Sequence, residues 1–192
     1  MSVRTGQRAR RPARPVALAL LVALAHSAPA QCAEQRSGLL RAGAIELGVA
    51  GSATRIEGVT RGSAAVRCGS FLTARSGLAG IEGELNYAHV GGLDALGLEA
   101  NLSWQRAMSG GAAYPYLALA WGIRQEWLGS FREVRYPLGA TLGLRTMLGR
   151  RAATRIEYRF RRVLGDPVAD FNEHELRLGL SVFFGNSIKP RD

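Results

Sequence analysis

Along most of the chain apolar and polar side chains alternate with a period of two, the mark of strands whose two faces meet different surroundings. The clearest run is LGLEANLSWQ, where Leu96, Leu98, Ala100, Leu102 and Trp104 alternate with Gly97, Glu99, Asn101, Ser103 and Gln105. The same alternation runs through AIELGVAGS, GIEGELNYA, PYLALAWGIRQE, PLGATLGLRTML, ATRIEYRFR and HELRLGLSVFF, and less regularly through AAVRCGSFLT. These eight segments predict eight strands. Between them TARSG, MSGGA and LGRRA read as short turns, while GSATRIEGVTRGS, HVGGLD, LGSFRE and VLGDPVADFNE read as the connections of opposite parity, the first and last of them longer. An even number of strands of about 9–11 residues, joined alternately by short turns and longer loops, predicts an all-β fold: an eight-stranded antiparallel up-and-down transmembrane barrel.

The N-terminus is of a different kind. Arg4, Arg8, Arg10, Arg11 and Arg14 precede the apolar run VALALLVALA, which leads into Ala28-Pro29-Ala30. A basic region, an apolar stretch too short to span a bilayer and a small-residue cleavage site, in that order, predict a secretory signal peptide over 1–30. Pro-Ala after Arg10-Arg11 favours the general secretory route over the twin-arginine one, and Gln31 before Cys32 argues against a lipoprotein. Without the five arginines the net charge falls from +10 to +5. The remaining cations are spread through the alternating segments with no stripe of stacking aromatics, so no nucleic-acid partner is expected. Cys32 and Cys68 are open to either a disulfide or two separate thiols in an oxidising compartment. Two cysteines and three scattered histidines show no ligand spacing, so neither metal nor cofactor is expected.

Alternation alone leaves the inside undecided. The polar faces carry Glu46, Glu82, Glu84, Glu99, Glu126, Glu157 and Glu175 against Arg67, Arg124, Arg145, Arg155, Arg159, Arg161 and Arg177. Seven acids face seven bases, and the bases are all arginine; Lys189 is the one lysine of the chain. A narrow interior favours arginine, whose rigid fork bonds several carboxylates at once. The glycines on the same faces, Gly48, Gly80, Gly97, Gly122, Gly143 and Gly179, suit close packing in a lumen that side chains fill. The opposite faces, with Leu, Ile, Val and Ala and aromatics near strand ends, suit a lipid band with aromatic girdles. The alternative is a secreted soluble barrel of lipocalin type whose apolar faces enclose a ligand; it lacks a Gly-x-Trp near the first strand.

With its signal peptide, PYLALAWGIR, IEYRFRR and a final HELRLGLSVFF, the chain resembles the small eight-stranded outer-membrane β-barrel proteins of Gram-negative bacteria. These are the porin-like group related to the transmembrane domain of outer membrane protein A and to opacity proteins. The resemblance covers residues 41–185, with 31–40 as a lead and 186–192 as a tail, and no periplasmic domain is expected after them. It implies an outer-membrane location among lipid and lipopolysaccharide, and an assembly signal in Leu178, Leu180, Val182 and Phe184 for the barrel-assembly machinery. Here GNSIKPRD follows the aromatic that normally ends such a signal.

A lumen filled with Arg and Glu is a plug, because each buried charge needs partners. The expected role is therefore non-enzymatic and without an open pore: a structural barrel whose loops, with Arg55, Glu57 and Arg61, contact surface ligands. The enzymatic alternative is a barrel that modifies lipid A, which needs a nucleophile beside a base. No His-x-Ser arrangement is present, though Ser103 and Ser181 remain candidates to approach His89 or His174 across the barrel.

Overall fold

The computed structural model describes residues 39–56, 59–74, 76–165 and 170–185. The signal segment 1–30, lead residues 31–38 with Cys32, Glu57 and the tail 186–192 lie outside the described residues. The strands are β1 (Ile45–Ile56), β2 (Val59–Ala74), β3 (Gly77–Val90), β4 (Leu93–Gln105), β5 (Ala113–Leu128), β6 (Phe131–Met147), β7 (Ala152–Leu164) and β8 (Phe171–Phe184). Each pairs antiparallel with the next, and β8 pairs back onto β1 to close the barrel. Following paired residues once around from Ile45, through Ser70, Ile81, Leu102, Leu119, Ala140, Phe160 and His174, leads back to β1 at Arg55, ten residues further on. Such a stagger tilts the strands, and eight strands leave an interior just wide enough for side chains to fill.

The two faces are sorted by polarity in the order opposite to a soluble protein. In β8, Glu175, Arg177 and Ser181 are buried while Leu176, Leu178, Leu180, Val182 and Phe184 are exposed. The same holds in β4, where Glu99, Asn101 and Ser103 point in and Leu98 and Leu102 point out. Outward aromatics lie toward both ends: Trp104 and Phe184 near the chain termini, Tyr87, Tyr136 and Phe160 toward the other end. Pro137 lacks an N–H, and the β5–β6 pairing skips the positions beside it, resuming at Arg124 opposite Arg135.

The longer first loop expected at the end away from the termini is not found, whereas β7 ends at Leu164 and β8 begins at Phe171, with 166–169 outside the described residues. β1 runs to Ile56 and β2 begins at Val59; β3 and β4 are joined by Gly91 and Gly92 alone, and β5 and β6 by Gly129 and Ser130. Gly91 and Gly92 both have positive φ, 55° and 83°, as the two central residues of a tight type I′ hairpin require. The expectation failed because small and polar residues read as loop. In this barrel they belong to strands, since the lumen they face is itself polar: the Ser52 and Ser63 hydroxyls meet at 2.5 Å across β1 and β2. Arg55 accordingly sits on a strand facing outward, and Arg61 is buried in the lumen.

The end bearing the termini is closed by an apolar cluster of Leu40, Ala44, Phe71, Tyr114, Met147, Ala153 and Phe183. Leu39 and Leu40 pack against it: the Leu40 N–H donates to the Tyr114 hydroxyl at 2.8 Å and the Leu39 N–H to the Gly111 carbonyl at 3.0 Å.

Candidate functional site

The lumen holds eight buried glutamates and eight buried arginines among the described residues. Nearest the apolar cluster, Arg145 is 0% exposed; it bonds Gln105, Glu46 (2.8 Å) and Glu82 (3.3 Å), and its guanidinium carbon stands 4.8 Å from the centre of the Phe71 ring. Arg155 bridges the same two carboxylates, Glu46 at 2.9 Å and Glu82 at 3.0 Å, and bonds the Tyr116 hydroxyl. Ser181 donates to Glu46.

At mid-barrel Glu157 gathers Arg67 (2.5 Å), Arg155 (2.9 Å), Arg159 (3.1 Å) and the Tyr116 hydroxyl (2.6 Å). Glu84 takes Arg177 (2.5 Å), Arg159 (3.0 Å) and Arg67 (3.2 Å), and Glu99 takes Arg161 at 2.6 Å and Arg159 at 3.3 Å. Glu175 joins Arg161 (2.7 Å) to Arg177 (2.8 Å). Toward the far end Arg124 holds Glu173 in a bidentate pair at 2.6 and 2.8 Å, with Glu126 shared among Arg124, Arg61 and Arg135. Val163, fully buried, lies on the inner face there, and Arg135 stacks on the Phe171 ring at 5.1 Å. Buried charges are tolerable only when paired and hydrogen-bonded, and this lattice meets that condition because each carboxylate serves several forks.

The inward glycines make room for those long side chains. A Cβ on Gly143 would collide with the Tyr116 ring, one on Gly139 with the Phe160 carbonyl and then Arg161 Cγ at 2.7 Å, and one on Gly122 with the Leu98 carbonyl and then Glu99 Cγ at 2.7 Å. Each glycine thus leaves the wall flat where a neighbouring strand's arginine, glutamate or tyrosine lies across it.

The structure brings all fourteen charged residues singled out from the sequence into this lattice. Two members escaped the sequence reading, Arg61 and Glu173, because each lay in a segment taken for loop. Parity would have found them: Arg61 shares its face with Arg67 six residues on, and Glu173 shares its face with Glu175.

On the outer wall, Leu178, Leu180, Val182 and Phe184 are exposed, as is Cys68. His89 and His174 also face outward; the His89 Nδ1 lies 2.8 Å from Asp94 and the His174 Nδ1 2.6 Å from the Tyr158 hydroxyl. Ser103 and Ser181 are buried in the lumen, where Ser103 donates to the Gly80 carbonyl. The approach of these serines to a histidine is therefore corrected: the barrel wall separates them, since side chains of opposite parity leave opposite faces of a sheet.

The sequence matches no protein-family model and no curated protein. Among solved structures the fold is similar to Neisserial surface protein A, with a TM-score of 0.51 at 13% identity over 73% of this chain and 96% of that one. It is also similar to the N-terminal β-barrel domain of Pseudomonas aeruginosa OprF, with a TM-score of 0.52 at 14% identity over 74% of this chain and 98% of that one. In fold the chain thus resembles the small outer-membrane β-barrel proteins: eight antiparallel strands closed around an ion-paired interior.

Proposed function

We propose that the chain is a non-enzymatic integral outer-membrane protein of a Gram-negative bacterium, a structural or surface-interaction barrel without an open pore. The observation that carries this reading is the reversal of polarity across the wall, charges buried inside and leucines exposed outside. A bilayer rewards that arrangement, because lipid covers the apolar band and a closed sheet pairs backbone groups between strands without leaving an edge. The same reversal speaks against a lipocalin-like barrel, whose apolar faces would line a cavity. The lack of a pore is supported by the apolar cluster at one end and by the continuous Arg–Glu lattice. Against a lipid A-modifying enzyme stands the separation of both serines from both histidines.

Residues 1–30 act in this reading as the export signal for the general secretory route. The outward run from Leu178 to Phe184 serves the barrel-assembly machinery. At the β3–β4 and β5–β6 hairpins, any surface contact shifts from long loops to strand ends.

The test is gel mobility of the mature protein from an outer-membrane fraction with and without boiling, followed by planar-bilayer recording. A boiling-dependent shift without stable conductance steps is expected. A soluble protein with no shift refutes the membrane barrel, and steady ohmic steps refute the closed lumen.

A further inference from the structure

The outer wall across β7, β8 and β1 carries a cluster the lumen does not use. Away from the termini, Arg55, His174 and Arg162 all face outward and are exposed. Arg55 pairs across the ladder with His174, and His174 with Phe160; Arg162 lies two residues beyond Phe160 on the same face of β7. The imidazole is anchored by the Tyr158 hydroxyl at 2.6 Å and by the Phe160 ring, whose centre is 5.3 Å away. Among the described residues no carboxylate pairs with Arg55 or His174, and Arg162 meets Asp170 at 3.2 Å in an exposed ion pair. Such a pair holds its arginine weakly. At the same end of β3 and β4 the outward histidine instead has a carboxylate beside it, since Asp94 meets both His89 and the Tyr87 hydroxyl. Arg55, His174 and Arg162 thus lie together at one seam, whereas Arg132 stands apart on β6.

Toward the termini from this cluster, on the same three strands, a groove of about 610 Å³ opens on the outer wall. Val49, Gly51, Thr154, Ile156, Leu178 and Leu180 line it. Gly51 faces outward into open space: a Cβ there would meet nothing nearer than the Ser63 carbonyl at 3.9 Å.

The geometry points to a binding site for one phosphate-bearing lipid, its phosphate on Arg55, His174 and Arg162 and an acyl chain in the groove between β1, β8 and β7. Arginine forks match phosphate oxygens, and cations standing just beyond an apolar wall lie at headgroup depth. The site rests on the membrane reading above.

Phosphatidic acid, diacylglycerol with the same chains, and inorganic phosphate separate its parts. The purified full barrel in neutral detergent is titrated with each and bound lipid is read by native mass spectrometry. Phosphatidic acid is expected to be retained at least tenfold over diacylglycerol, with millimolar inorganic phosphate unable to displace it. The double variant R55Q/R162Q is expected to lose about thirtyfold in phosphatidic acid affinity. G51L, which fills the groove, lowers retention of both lipids, and R132Q, exposed on β6, changes neither. Equal retention of the two lipids by the wild type, or an unchanged preference in R55Q/R162Q, overturns the site. Displacement by inorganic phosphate reduces it to a free-anion site and refutes the lipid. The boiling shift is recorded on every sample: its loss in the wild type refutes the membrane reading, whereas its presence with no lipid preference refutes the site alone.

Discussion

Replacing Glu157 by Gln keeps the side chain's shape and removes one charge from the centre of the lumen. The carboxylate is 1% exposed and touches three guanidiniums and the Tyr116 hydroxyl. Breaking a buried pair by removing one partner costs about 3–5 kcal/mol, because a charge is left uncompensated in a dry site. Here each stranded arginine keeps other carboxylates: Arg67 has Glu84, Arg155 has Glu46 and Glu82, and Arg159 has Glu84 and Glu99. The expected loss is therefore the lower end, about 3 kcal/mol. It is measured by equilibrium urea unfolding of the barrel refolded into vesicles, followed by tryptophan fluorescence. Adding Arg67→Met restores charge balance, and the double variant is expected to be more stable than the sum of the two single losses, with a coupling of about 0.5–3 kcal/mol. A loss under about 1 kcal/mol for Glu157→Gln, or strict additivity of the pair, would mean that the lumen is solvated and its pairs behave like surface ones.

Leu98 lies between Leu85 and Ile123 on the outer wall, and Leu142 between Leu117 and Tyr158. Leu98→Arg and Leu142→Arg are each expected to cost about 2–4 kcal/mol in vesicles, and near-neutral values in the same unfolding assay would turn the wall toward water. Gly143→Ala drives a Cβ into the Tyr116 ring and is expected to cost about 1–3 kcal/mol. Gly83→Ala, whose Cβ meets nothing nearer than 4.0 Å on the outer face, is expected to be neutral or to gain up to about 1 kcal/mol. Equal losses at the two glycines would remove the packing argument. Phe184→Ala is expected to lower the yield of barrel inserted by reconstituted assembly machinery, as read by the boiling shift; an unchanged yield excludes Phe184 from the assembly signal.

Period-two alternation made the eight strands and the membership of their faces legible without coordinates, because side-chain direction in a strand is a local property of the backbone. The balance of glutamate against arginine, with lysine almost absent, pointed to the charged face as the inner one. Strand ends were not legible. Gly51 through Ser63 has the composition of a loop, and only closure of the barrel, which gives Ser52, Thr54, Arg61 and Ser63 a polar interior to face, carries β1 on to Ile56 and starts β2 at Val59.

Three features came from the tertiary structure alone. Which carboxylate serves which guanidinium depends on the ten-residue stagger, which sets Glu46 on β1 beside Arg145 on β6 and Arg155 on β7, about a hundred residues away. The separation of the serines from the histidines follows from a closed wall with two sides. The meeting of Arg55, His174 and Arg162 at one seam follows from β8 pairing back onto β1. The sequence by itself determined the strands, their two faces and the charge balance, because these depend on near neighbours in the chain; pairing partners and strand ends required the closed barrel, because they depend on register between strands far apart in it.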